Sequence, residues 1–179
     1  IISSEAGHYA KVSVSGWLGI GTDSIVTIPT DSDNSMDLIS LESTLRGLLD
    51  QGKKIACIIA TMGTTDSFGI DNLEYIAGLR DKLAEEYALP YKPHIHADAV
   101  IGWAWAVFND YDFETNPLQF PSRTLRSLWD TGVNIRTLHM ADSIGLDFHK
   151  TGYGPYVSSL FICKNNQHLN LITRNLSEM

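Results

Sequence analysis

Several features that mark common functional classes are scarce in this 179-residue chain. It has two cysteines, Cys57 and Cys163, each inside an apolar run, and 13 basic against 21 acidic residues, for a formal net charge of −8. Buried free thiols are typical of a reducing compartment and predict a cytoplasmic protein. The acidic balance argues against nucleic acid or an anionic membrane as a partner, because both attract clustered lysine and arginine. No apolar run approaches the roughly 20 residues of a membrane span.

Common nucleotide-binding and hydrolase motifs are missing as well. The glycine-containing stretches at 21–24 and 63–69 match neither the P-loop nor the dinucleotide-binding pattern. The sequence has no G-x-S-x-G, and both cysteines are expected to be buried. Nucleotide binding and serine or cysteine hydrolase chemistry are therefore poorly supported.

The composition, 44% hydrophobic and 19% charged residues, is that of a globular domain. Apolar runs at 24–28, 55–60, 94–101 and 158–163 predict β-strands. The run at 55–60 is apolar at nearly every position, as in a parallel strand that is covered on both faces.

Helical periodicity fills the gaps between these strands, at 37–49 and 70–88, and a further helix is expected around 122–131. Asp71 is expected to cap the second helix, with Glu74 reaching back in a capping box. Strands that alternate with helices predict one α/β domain with a largely parallel sheet.

Polar residues stand where predicted strands end. In open α/β sheets, ligands bind beyond the carboxyl ends of the strands. His8 follows the opening stretch IISSE, which looks like part of a further strand, Thr61 follows the run at 55–60, and Asp98 closes HIHAD. Lys150 lies in a loop after a further apolar segment. Each has a simpler explanation alone, as a turn or cap residue, but the set predicts a site at one sheet edge.

A metal site is an alternative. His94, His96 and Asp98 alternate along a strand and so project from one face, and two imidazoles with a carboxylate suit zinc or iron. This pattern leaves a metal-dependent hydrolase open. The other histidines lack ligand spacing, so we expect no metal.

Pyridoxal 5'-phosphate is the cofactor that uses a lysine, a carboxylate and a flat side chain together. The lysine amine forms a Schiff base with it, the carboxylate keeps its ring nitrogen protonated, and the flat side chain stacks on its ring. The charge-assisted contact to the ring is worth about 1.5–3 kcal/mol. Lys150, Asp98 and His8 could supply these three groups.

Four stretches resemble, in order, motifs of the group II pyridoxal-dependent amino-acid decarboxylases, a family that includes the glutamate and aromatic-amino-acid enzymes. They are SSEAGHYAKVSVSGWLGIG (3–21), ATMGTTDSFGIDNLEYI (60–76), HIHADAVIGW (94–103) and ADSIGLDFHKTGYG (141–154). The resemblance implies a three-layer α/β/α, fold-type I large domain, a homodimer, and decarboxylation of an L-amino acid. It also implies that residues 1–179 are the central part of this domain, with an N-terminal segment and a small C-terminal domain outside the chain.

By the same resemblance, Lys150 would be the Schiff-base lysine and Asp98 the partner of the ring nitrogen. His8 would stack on the ring beside the substrate, and Thr61 would form a hydrogen bond near the ring hydroxyl. The other contacts implied are a packing residue on the opposite ring face and two phosphate ligands: Val100, His149 and Ser143.

The chain departs from the family pattern at three places. Val100 replaces the second alanine of D-A-A, and Thr151 replaces the tryptophan after H-K. The GYGP at 152–155 resembles phosphate-ester lyases such as sphingosine phosphate lyase, which leaves another carbon–carbon lyase reaction open. The aromatic stretch WAWAVF at 103–108 is expected to pack in the core or at a subunit interface rather than to line a pocket.

Overall fold

The computed structural model describes residues 1–171 and contains one six-stranded sheet. The strands are β1 (Ile2–Ser4), β2 (Val26–Ile28), β3 (Cys57–Thr61), β4 (His94–Asp98), β5 (Ser143–Asp147) and β6 (Ser159–Cys163). The α-helices are α1 (Ala10–Trp17), α2 (Leu38–Asp50), α3 (Leu73–Glu86) and α4 (Ser122–Ile135), with short 3-10 helices at Thr22–Ser24, Gly102–Phe108, Arg136–Met140 and Asn166–Leu171.

The sheet has the order β2-β1-β3-β4-β5-β6, and β6 alone among these strands runs antiparallel to its neighbour. The predicted α/β fold with a mostly parallel sheet is confirmed. The strand predicted at 94–101 ends early, because the chain leaves the sheet after Asp98. At Gly102 the backbone runs so close to the Met62 carbonyl that an added Cβ would overlap it, which explains the glycine at this position.

The two faces of the sheet are covered differently. Ile58, Ala60, Ile95 and Ala97 join the main core with the apolar sides of α2 and α3. Because successive side chains alternate along a strand, the residues between them face the other way. On that second face, α1 lies over Ile59, Thr61, His96 and Asp98. The second face is only partly covered: Thr61 is buried, whereas the neighbouring His96 and Asp98 are half-buried.

The start of α3 differs from the sequence prediction. The N-cap is Asn72, whose side chain accepts a hydrogen bond from the Tyr75 N–H at 3.0 Å. Asp71 is instead fully buried and accepts hydrogen bonds from the backbone of two other segments. The predicted capping box of Asp71 and Glu74 is therefore wrong by one residue, because Asp71 is drawn into the interior.

Both cysteines are free and half-buried. Burial raises the pKa of the Cys57 thiol to about 11, so this thiol stays protonated near neutral pH. Within residues 1–171, no helix combines the length and apolar character needed to cross a membrane.

The assigned cap predicts the outcome of a pair of substitutions. Asn72→Ala should lower the free energy of unfolding by about 1 kcal/mol, because the first turn of α3 loses its side-chain acceptor. Glu74→Ala should change it by less than about 0.5 kcal/mol. Urea denaturation of the complete protein measures both; a larger loss for Glu74→Ala would restore the capping box.

Candidate active site

The register of the central strands brings the predicted site residues to one edge. Thr61 lies opposite Asp98, and Asp98 lies opposite Gly145, so three neighbouring strands carry these positions side by side. All three positions face the side of the sheet that carries α1, since residues directly opposite share a face. Asp147 is two residues further along β5 and roughly 8 Å diagonally from Asp98 by strand spacing.

A cavity of about 160 Å³ opens between α1 and this edge. His8 lies at its rim just before α1, and Thr61 and Asp98 lie on its sheet side. Three of the residues predicted from the sequence are thus brought together around one space. The side chains of His96 and Lys11 also line it.

The hydroxyl of Thr61 is the most informative polar group in the cavity. Thr61 is 3% exposed, and its Oγ1 has no hydrogen-bond partner in the part of the chain that the structure describes. A buried hydroxyl without a partner costs about 1–3 kcal/mol. The cavity therefore presents a polar group that a ligand would stabilise.

Asp98 and His8 present complementary groups to the same space. The Asp98 carboxylate is half-buried and accepts one long hydrogen bond, 3.5 Å from the Val100 N–H. The His8 Nδ1 accepts from the Ala10 N–H at 3.1 Å, so the neutral ring carries its proton on Nε2. Val100 lies close to the Gly145 position on β5, where an added Cβ would be 3.8 Å from its Cγ1.

Ser143 lies at the start of β5, away from His149, which follows the end of that strand. Its hydroxyl is 2.8 Å from His94 Nε2 and 2.9 Å from His96 Nδ1. One hydroxyl hydrogen can serve only one ring, so the other ring must donate its N–H to Oγ. The structure does not bring Ser143 together with His149. Ser143 therefore does not join the candidate phosphate-binding residues.

The hydrogen bonds between the Ser143 hydroxyl and the two histidines also bear on the metal alternative. The ring nitrogens of His94 and His96 that face each other are occupied by the Ser143 hydroxyl. Among the described residues, no three His, Cys, Asp or Glu side chains form a metal-ligating group. The geometry gives the metal-dependent hydrolase no support.

Lys150 lies in the turn that follows β5, at the same edge of the sheet as Asp98. Its Nζ is 3.1 Å from Asp147 Oδ2, and Asp147 Oδ1 accepts from the Ser159 hydroxyl at 2.6 Å. Burial alone would raise the pKa of Asp147, but hydrogen bonds from Ser159 and Lys150 and the nearby positive charges lower it. The ammonium group is thus held beside an ionised carboxylate, and Lys150 itself is not among the residues that line the cavity.

The His149 ring is held by the backbone of Ser158, just before β6, and lies near Asp147. Its Nδ1 is 2.9 Å from the Ser158 carbonyl oxygen and 3.2 Å from the Ser158 N, and its Nε2 is 3.6 Å from Asp147 Oδ2. The Tyr156 ring packs edge-on against it, with centroids 4.5 Å apart. These contacts fix the ring next to Lys150, with the side chain 9% exposed.

The loop that carries Lys150 rests on the aromatic stretch. Trp103 Nε1 donates to the Asp147 carbonyl at 3.0 Å, and its ring packs edge-on against Phe148. The Thr151 hydroxyl donates to the Ile101 carbonyl at 2.9 Å. Trp103 and Trp105 also pack partly buried against the core, so the core packing expected for this stretch is confirmed for these two residues, whereas Val107 is exposed.

Lys11 is a cavity residue that the sequence analysis missed. Its Nζ donates to the Ser4 and Glu5 carbonyls at 2.6 and 3.2 Å. Burial lowers its pKa, and the charge of Glu5 opposes the shift. Its place three residues after His8 was the available signal, because the turn that leads into α1 joins the Lys11 N–H to the His8 carbonyl at 3.3 Å.

A larger cleft of about 720 Å³ lies elsewhere, between α4 and the loops near Asp33 and Phe68. It is lined mainly by polar side chains of α4, including Arg123, Arg126 and Asp130. These three are exposed, and none is an orphaned buried group. We place the functional site in the smaller cavity, because chemistry depends on the groups that converge there rather than on volume.

Comparisons with known proteins identify the class. An L-tyrosine decarboxylase from Enterococcus faecium is 31% identical over 177 residues, covering 93% of this chain and 28% of the relative. An L-2,4-diaminobutyrate decarboxylase from Acinetobacter baumannii is 30% identical over 165 residues, covering 92% of this chain and 27% of that relative. No protein-family model matches the chain.

The fold has the same relatives. The glutamate decarboxylase domain of a diaminobutyrate-pyruvate transaminase and L-2,4-diaminobutyrate decarboxylase from Vibrio parahaemolyticus superposes with a TM-score of 0.70 at 22% identity, covering 97% of this chain and 31% of that one. The α/β architecture is thus that of a decarboxylase domain. The chain is related to the group II pyridoxal-dependent amino-acid decarboxylases, as its four motifs indicated. It spans a little over a quarter of the length of the curated relatives it matches.

The support of the Lys150 loop can be tested at Gly152. A Cβ there would lie 2.7 Å from the Trp103 ring and 2.9 Å from the Phe148 carbonyl oxygen. Gly152→Ala should therefore lower the free energy of unfolding by about 1–3 kcal/mol. In α3, Gly78→Ala meets nothing within 4 Å and should be neutral or stabilising by up to about 1 kcal/mol. Denaturation of the complete proteins compares them, and equal stabilities would contradict the packing described.

Proposed function

We propose that this chain provides the cofactor-binding part of a pyridoxal 5'-phosphate-dependent enzyme that decarboxylates an L-amino acid. The observation that carries the proposal is the meeting of His8, Asp98 and the Thr61 hydroxyl, which has no partner within residues 1–171, around one cavity, with Lys150 at the same sheet edge. The residues 1–179 would form the central part of the large domain.

The donor set fits this cofactor group by group. A basic ring nitrogen suits the Asp98 carboxylate, which has one long hydrogen bond and can accept another. A ring hydroxyl suits the buried Thr61 Oγ1, which has no partner among the described residues. An aromatic ring suits the flat His8 imidazole at the cavity rim. Val100 would bound the space from the β4–β5 side, and His149 would contribute to phosphate binding.

When bound, pyridoxal phosphate supplies a positively charged ring. This ring accepts the electron pair released when the bond between the substrate's α-carbon and its carboxylate breaks. Asp98 would hold a proton at the ring nitrogen, because a carboxylate stabilises the charged ring. The imidazole of His8 would cover one ring face and place its Nε2 proton near the substrate. The packing of α1 over the sheet would limit the entry of water.

Lys150 would provide the amine that bonds to the cofactor. Asp147 lies 3.1 Å from Nζ and orients it, while Trp103 and Thr151 fix the backbone of its loop. An ammonium has no lone pair, so Lys150 must release a proton before it can bond. The ion pair with Asp147 is therefore expected to open when the cofactor binds.

The substrate, assembly and compartment follow from the same proposal. The substrate would be an L-amino acid, the enzyme would be a homodimer, and its compartment would be the cytoplasm.

Lys150→Ala tests the covalent link. The complete protein, mixed with pyridoxal phosphate and reduced with borohydride, should carry the cofactor on residue 150, as mass spectrometry of its peptides would show. The variant should lose this adduct and the visible absorption. Lys92 is a matched control, since it too pairs with an aspartate at 3.1 Å. Lys92→Ala should keep the adduct, and an unchanged adduct in Lys150→Ala would remove Lys150 from the site.

Asp98→Asn tests whether the Asp98 carboxylate stabilises the positive charge on the cofactor ring. The variant should still bind pyridoxal phosphate, but its turnover should fall about 100-fold or more, because a neutral amide stabilises the protonated ring poorly. Asp50→Asn, on the distant helix α2, should leave turnover unchanged. The measurement is carbon dioxide release from the substrate amino acid, and wild-type turnover in Asp98→Asn would exclude the proposed role.

A further inference from the structure

Asp71 is a buried carboxylate that the proposed chemistry does not use. It is 0% exposed, and burial raises its pKa to about 6, against the effect of two backbone hydrogen bonds. A charged group in the interior costs free energy unless it is well bonded. Its presence therefore calls for an explanation beyond packing.

The carboxylate of Asp71 accepts hydrogen bonds from two separate segments of the chain. Oδ2 accepts from the Thr61 N–H at 2.6 Å, and Oδ1 accepts from the Met36 N–H at 2.7 Å. In addition, the Asp71 N–H donates to the Thr61 carbonyl at 2.9 Å. One residue thus holds both polar groups of the Thr61 backbone and ties them to the loop before α2.

The backbone of Thr61 determines where its hydroxyl points. A β-branched side chain has few χ1 rotamers, so a fixed backbone leaves Oγ1 little freedom. That oxygen is buried, lines the cavity and has no partner in the described chain. From the cavity side, Gly7 leaves room for this oxygen, since a Cβ added at Gly7 would lie 3.1 Å from Oγ1.

We propose that Asp71 is a positioning residue, which holds the Thr61 hydroxyl in place to form a hydrogen bond with a polar atom of the bound cofactor. This inference rests on the function proposed above. An aspartate is required because each carboxylate oxygen accepts one backbone N–H. An asparagine would set its NH₂ group against one of these donors.

A double-mutant cycle on the complete protein tests the inference. The dissociation constant of pyridoxal phosphate is measured by absorption titration for the wild type, Asp71→Asn, Thr61→Val and the double variant. Asp71→Asn should weaken binding about tenfold when Thr61 is present, and less than about twofold in the Thr61→Val background, because the two residues act through one contact. Equal fold-changes in both backgrounds would overturn the inference and indicate a general effect on stability.

Two further measurements separate the possible failures. Asp37→Ala removes the N-cap of α2, which accepts from Ser40 N at 2.7 Å, and should lower stability without changing the cofactor dissociation constant. If Asp71→Asn does not fold, amide hydrogen exchange of Thr61 in the wild type tests the inference. Slow exchange, like that of Ile59, supports the positioning role of Asp71, and fast exchange overturns it. If the wild type does not bind pyridoxal phosphate, the proposed function fails instead.

Discussion

The in-register pairing of three parallel strands is the constraint on which the site depends. Thr61, Asp98 and Gly145 are direct neighbours across β3, β4 and β5. A slip of one residue in any pair would turn a whole strand over and send its polar side chain into the apolar core. The buried residues on the opposite face, among them Ile58 and Ile95, make such a slip costly. The packing of the core thus also fixes the position of the chemistry.

Charge is distributed along this edge so that each functional group keeps a distinct role. Asp147 pairs with Lys150, and within the described part of the chain the Asp98 carboxylate keeps only its long hydrogen bond from the Val100 N–H. The Ser143 hydroxyl binds His94 and His96 and so keeps the imidazole beside the cavity oriented. An acidic group for a ring nitrogen, at the end of β4, and an amine for covalent binding, in the turn after β5, are therefore held at one sheet edge without neutralising each other directly.

Much of the fold could be predicted from periodicity, because strongly apolar strands and amphipathic helices have clear repeats. The motif residues at the carboxyl ends, such as Thr61 and Asp98, could be placed together because parallel strands end at one edge. Other features needed coordinates. The burial of Asp71 depends on backbone donors from two segments, Met36 and Thr61, that are remote in sequence. The contact of Ser143 with His94 and His96 likewise depends on which side chains meet across the sheet, and local pattern carries no information on that.

The central claim is that Asp98 and Lys150 serve one pyridoxal phosphate molecule. A crystal structure of the complete protein grown with this cofactor tests it most directly. The account predicts a single ring whose nitrogen lies within about 3 Å of the Asp98 carboxylate and whose aldehyde carbon is bonded to Lys150 Nζ. A cofactor bound to a different lysine, or a ring nitrogen with no contact to Asp98, would contradict it.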